Sequence, residues 1–224
     1  PHNYGILRTS ADDLKYYAKE IADMGFQMNT HAIGDSTVSV LLNEYKKVLN
    51  EIDDPRWRIE HSQVVDMNEF ELYNEKILPS IQPTHATSDM YWAYDRLGSR
   101  IKGAYAFKDL LKSSNRVALG TDFPVEKVNP FHTFYSSVER KDLKGYPENG
   151  FQMENSLSRE ETLKGMTIWG AYFNFEEHEK GSLEVGKSAD FVVLNQNIME
   201  VEADLIPNTE VLQTYIDGEL VYSK

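Results

Sequence analysis

FQMNTHAIGDSTVSVLLNEYKKVLNEIDDPRWRIEH, residues 26–61, holds the pattern on which the fold turns. Phe26 to Thr30 is short and bounded by Gly25, and it reads as a strand that ends at His31. Val38, Leu41, Leu42, Tyr45, Val48 and Leu49 then recur at helical spacing and make one apolar stripe. Asp53-Asp54-Pro55 breaks the chain, and Trp57 to Glu60 reads as a second strand, ending at His61. Strands separated by an amphipathic helix favour a parallel sheet covered by helices.

The same alternation extends in both directions. Upstream, Ser10 is a plausible N-cap, Leu14, Tyr17, Ala18, Ile21 and Met24 follow helical spacing, and Gly25 supplies the stop. Downstream, Asp66 with Glu69 resembles a capping box, so Met67, Phe70, Tyr73 and Ile77 are expected to continue a helix. Leu78 to Gln82 reads as a strand, Pro83 to about Gly98 as a polar and aromatic loop, and Ile101, Tyr105 and Leu110-Leu111 as a helix. Val117-Ala118-Leu119 is the next expected strand, running into Gly120-Thr121-Asp122. Four strands before residue 123 amount to half of an eight-stranded barrel. Past Asp122, Asn129-Pro130 and Ser158 with Glu161 open two further helices, the second running to about Ala171. The tail is β-rich at 191–194 and 212–221, with Asp217-Gly218 as a hairpin signal. The expected organisation is an α/β fold: a partial (β/α) barrel over residues 1–179 and strands of a small C-terminal β-domain over 180–224.

Composition narrows the chemistry. The net charge of −13 and the absence of a Lys/Arg cluster argue against nucleic acid and against an anionic membrane surface. No apolar run approaches a membrane span, and PHNYGILRTS lacks the pattern of a signal peptide. There is no cysteine, so any metal must be held by histidine and carboxylate; this also fits a cytoplasmic location. The chain does not begin with Met and reads as a piece of a longer protein.

His31, His61 and Asp122 each follow an expected strand. Strand ends at the C-terminal mouth of a (β/α) barrel carry active sites. Two imidazoles and a carboxylate suit a borderline divalent metal such as Zn²⁺, which would polarise a carbonyl and acidify bound water. Asp122 could hold that water and take its proton. Gly34 and Gly120 would permit tight turns beside such a site, and Asp35 is expected to cap the following helix. Tyr91, Trp92 and Tyr94 hint at an aromatic wall. His2, His132 and His178 read as bystanders.

HAIGD at 31–35, RIEHSQ at 58–63, SIQPTHATSD at 80–89, GTDFPV at 120–125 and GSLEVGKSADFVVL at 181–194, in that order, resemble the amidohydrolase superfamily, and most closely its family 3, which is N-substituted formamide deformylase-like. The resemblance implies strands 5–8 of a TIM-like (β/α)8 barrel and strands of a C-terminal β-sandwich. It implies that His31 and His61 are metal ligands, that Asp122 is both ligand and proton acceptor, and that Gln82 and His85 contact substrate. Asp89 and Arg100 match more weakly. It further implies a small-molecule amide substrate, hydrolysis of a non-peptide C–N bond, and one or two divalent ions, zinc first among them. A deaminase or cyclic amidohydrolase would use the same ligands. The His-x-His pair and bridging lysine of the family pattern are missing, so a catalytically silent assembly module is the other alternative. A half-barrel would expose sheet edges and an apolar interior, and would need its N-terminal half or self-association to cover them.

Overall fold

A computed structural model describes residues 5–224; His2 lies outside them. The chain divides into two compact units, residues 5–81 with 93–117, and residues 82–92 with 118–224.

The first unit is an α/β layer. Strands β1 (Asn29–Ala32), β2 (Trp57–His61) and β3 (Ile77–Ile81) run parallel, in spatial order β1-β2-β3. Helix α1 (Ala11–Asp23) starts at Ser10, whose hydroxyl accepts the Asp13 amide at 3.1 Å, as its sequence suggests. Helix α2 (Asp35–Val48) buries the expected stripe of Val38, Leu41, Leu42 and Tyr45. Tyr45 meets Trp57 of β2 edge to face at 4.8 Å, locking the helix to the sheet. The Trp57 indole donates to the Phe26 carbonyl at 3.1 Å. Helix α4 (Phe107–Ser114) closes the unit with buried Phe107, Leu110 and Leu111.

Two expectations in this region fail. The helix foreseen after Asp66 is only a single 3-10 turn, Phe70–Leu72. Glu69 cannot serve as a reciprocal cap, because its carboxylate accepts the Ser39 hydroxyl at 2.6 Å, while Asp66 accepts its neighbour's amide from Asn68 at 2.9 Å. Conversely, the loop foreseen from Pro83 is the helix α3 (Pro83–Leu97). Pro83 sits at the first helical position, where its missing N–H costs nothing, and Ala86, Met90, Ala93 and Leu97 keep an i, i+4, i+7, i+11 rhythm beneath the polar and aromatic surface.

The second unit begins with the short strand β4 (Ala118–Leu119). Helix α5 (Pro130–Glu139) is capped as foreseen, Asn129 Oδ1 accepting the Phe131 amide at 2.9 Å. Helix α6 (Arg159–Met166) carries the expected capping box of Ser158 and Glu161; the chain then breaks at Thr167 before α7 (Ile168–Phe173). Strands β5 (Phe191–Leu194), β6 (Val211–Ile216) and β7 (Glu219–Ser223) form an antiparallel sheet. Asp217 and Gly218 join the last two with both φ positive, the two-residue turn that hairpin twist demands. Phe131, Phe134, Tyr135, Ile198 and Ile206 form one apolar cluster in this unit, joined by Leu194 and Val211. Among the described residues no helix is long and apolar enough to cross a membrane.

Candidate functional site

His31 is the last but one residue of β1 and His61 the last of the adjacent parallel strand β2, but simple alternation would not bring their rings together. The register pairs His31 with Glu60 and Ala32 with His61, which puts the two histidines on opposite faces of an ideal sheet. The backbone resolves the conflict at His61. Its φ is +75°, and that of Ser62 is +45°, so the strand stops and the His61 Cβ swings to the other side of the chain. The two imidazoles then meet edge to face, with centroids 4.5 Å apart. His31 is exposed and His61 buried.

Two left-handed non-glycine residues in succession cost on the order of 1–2 kcal/mol each. A buried hydrogen-bond chain holds them. Tyr73 donates to Ser62 Oγ at 2.8 Å, and Ser62 Oγ donates to the Ile59 carbonyl at 3.0 Å. Burial pushes the Tyr73 phenol well above its usual range, so it stays a donor. The next residues are pinned as well: Val64 N–H reaches the Ile33 carbonyl at 3.0 Å, and Tyr105 N–H the Gln63 carbonyl at 2.8 Å.

The second unit gathers another pair. Gln82 is buried just before α3, and its carbonyl accepts the His85 amide at 3.0 Å. His85 lies in the first turn of α3, with Nε2 3.3 Å from Asp122 Oδ2. Asp122 follows β4 and is again left-handed, with φ +57°. Its carbonyl accepts the Val125 amide at 2.8 Å, which closes the turn that presents the carboxylate. His85 was foreseen as a substrate-loop residue; its contact with Asp122 was not readable, because the helix that aims it reads as a loop.

The remaining candidates fall elsewhere. Asp35 is not the cap of α2; Gly34 is, and Asp35 pairs with Arg100 at 2.7 Å. Gly34 has φ −76°, and Gly120 is not left-handed, so neither uses the backbone freedom peculiar to glycine; the Gly34 carbonyl accepts the Thr37 amide at 3.0 Å where α2 begins. Tyr91, Trp92 and Tyr94 lie on α3 and are exposed; Tyr91 stacks on Tyr146 at 5.5 Å. His132 contacts the Asn129 amide at 3.2 Å, and His178 is exposed beside Glu177.

Strand-end imidazoles and a turn-borne carboxylate are hard-to-borderline donors, and the absence of thiols leaves no competing soft ligand. The donor chemistry fits a divalent cation, and it defines the class: an α/β protein with histidines at or near the ends of two parallel strands and an aspartate in a turn after a short strand. A family profile described as the amidohydrolase family matches residues 4–222, and the chain belongs to that family, in its family 3 branch. It is 33% identical over 99% of its length to the protein LONG AFTER FAR-RED 3 of Arabidopsis thaliana, of which it covers 38%. It is 21% identical to N-substituted formamide deformylase of Arthrobacter pascens, over 96% of this chain and 40% of that one. Among solved structures, a metal-dependent hydrolase of Pyrococcus horikoshii OT3 superposes with a TM-score of 0.75 at 26% identity, over 91% of this chain and 41% of that one. The chain thus spans about two fifths of the curated relatives it matches.

Proposed function

We propose that the protein is a metal-dependent hydrolase that opens an amide-type C–N bond in a small molecule. The observation that carries this reading is the His31–His61 contact, which the fold creates by spending a strained turn at the end of a strand. His31, His61 and Asp122 would hold the cation, zinc by donor chemistry, with one or two ions in the complete site. When bound, a divalent ion polarises a carbonyl oxygen and lowers the pKa of water toward 7.

The chain's own residues supply the rest. Asp122 accepts the proton of the attacking water. His85, at 3.3 Å, keeps that carboxylate oriented and is placed to pass the proton to the departing nitrogen. Gln82 and His85 contact the substrate. The architecture proposed around them is strands 5–8 of a (β/α)8 barrel, with residues 180–224 belonging to a C-terminal β-sandwich.

The test is hydrolysis of N-substituted formamides and related amides by the intact gene product loaded with Zn²⁺. Asp122→Asn should lower kcat by about 10²–10⁴-fold, the usual range for a lost general base. A wild-type rate in that variant would remove Asp122 from the mechanism. Metal content measured after dialysis should fall in His31→Ala and His61→Ala; full stoichiometry in both would remove them as ligands.

A further inference from the structure

A second feature lies beside His31, wholly within the first unit. A cavity of about 180 Å³ is walled by residues 6–9 on one side and by 30–34, with Leu14 and Thr37, on the other. His31 and Arg8 share its lining. We propose that this cavity is a carboxylate-recognition site with Arg8 as its specificity-determining residue, so that the substrate is an amide bearing a carboxylate a few bonds from the scissile carbonyl. The word substrate rests on the hydrolase reading above; the recognition site does not.

Charge is the first argument. The protein carries a net −13, yet Arg8 is the one permanently charged side chain among the described residues lining this cavity, and no carboxylate lines it. Asp35, the nearest acid along the wall segment, is turned to Arg100 at 2.7 Å and accepts the Ser36 amide at 2.9 Å. The lining itself therefore carries one fixed positive charge and no negative one, although Asp12, Asp13 and Asp35 stand in the first turns of the two helices that border it. Gly34 opens the 14-residue helix α2 with no side-chain cap, and Gly34 and Thr37 both face the cavity, so the positive end of that helix adds to the field. A guanidinium offers carboxylate a planar, two-point fork that an ammonium cannot.

Size and lining are the second argument. At roughly 30 Å³ per water, the space holds about six waters, or a carboxylate with a short spacer. Ile6, Leu7, Leu14 and Ile33 give the rest of the wall an apolar character that suits methylene groups and rejects a second charge. A ligand seated on Arg8 would share this lining with His31.

The test has a binding arm and a turnover arm. In chelator-treated protein labelled at arginine and histidine, sodium butyrate is titrated against the NMR signals of Arg8 and His31, with butylamine and butyramide as controls. Saturable displacement by butyrate alone is expected, with apparent affinity at least about tenfold weaker in Arg8→Gln and intermediate in Arg8→Lys. Unsaturable shifts, equal binding of butyramide, or unchanged affinity in Arg8→Gln would overturn the proposal. In the turnover arm, kcat/KM for a carboxylated amide should exceed that of its carboxamide isostere, and Arg8→Gln should erase the preference. Butyrate binding without any amide hydrolysis would sink the hydrolase reading alone. Hydrolysis indifferent to the substrate's charge would sink the Arg8 assignment alone.

Discussion

At the scale of single residues, the site is built by conformations that its amino acids dislike. His61, Ser62 and Asp122 are left-handed, where an L side chain is strained, and each stands where a strand gives way to a turn. The strain is useful at His61, because it reverses the side-chain direction and lets the ring touch His31. Its support is the chain Tyr73–Ser62–Ile59, whose middle member is buried. Ser62→Ala leaves the buried Tyr73 hydroxyl without an acceptor, and should cost about 1–3 kcal/mol in denaturant unfolding. Adding Tyr73→Phe removes the stranded hydroxyl, so the double variant should lose less than the sum of the two single losses; strict additivity would show that the chain carries no coupling. The residue types themselves were plain in the sequence, since His31, His61 and Asp122 all sit at strand ends. Their geometry was hidden. Gly34 and Gly120 look like the turn formers, but the left-handed positions fall on His61 and Asp122, the side chains proposed above as metal donors.

At the scale of elements, caps and stripes decide which segments become helices. Ser158 and Glu161 satisfy each other's backbone amides, at 3.1 Å and 2.8 Å, and α6 starts there. Ser158→Ala should therefore lower stability by about 1 kcal/mol, measured by thermal unfolding, while Ser158→Asp should largely preserve it. The Asp66 and Glu69 pair has the same spacing and fails, because Ser39 on α2 claims the Glu69 carboxylate. A long-range partner of that kind leaves no trace in the local sequence. The α3 helix is the opposite case: its polar and aromatic surface residues mask an apolar rhythm of Ala86, Met90, Ala93 and Leu97, and it is this helix that aims His85 at Asp122. Downstream of β2, the fold depends on a close backbone approach. Val65 N–H donates to the Gly103 carbonyl at 2.9 Å, and a Cβ on Gly103 would lie 1.9 Å from the Val65 carbonyl oxygen. No rotamer can relieve a clash with backbone, so Gly103→Ala should destabilise the protein by about 3 kcal/mol or more, at the upper end of single substitutions. A loss below about 0.5 kcal/mol would mean that the segment after β2 shifts freely, and that its hydrogen bonds do not hold the His61 turn.

At the scale of the whole molecule, the acidic balance and the many buried phenols set how stability depends on pH. Tyr135 is pushed up to about 12 from the usual 10.0, by burial first and then by the negative charges of Asp204 and Glu139. Tyr45 and Tyr73 are pushed upward as well, in both cases chiefly by burial. A phenol whose pKa is higher in the folded chain than in the unfolded one favours the folded state while it is protonated. That contribution is complete below pH 10 and disappears as the pH rises through 12, because the unfolded chain can then release a proton that the folded chain must keep. Chemical denaturation between pH 8 and pH 12 should accordingly show stability level to about pH 10 and falling steeply above it. Tyr135→Phe should make the fall shallower, since one of the linked protons is gone. An alkaline limb of the same steepness in Tyr135→Phe and the parent protein would mean that this phenol is no harder to ionise in the fold than in the open chain. The carboxylates of Asp204 and Glu139 would then not act on it as the structure requires.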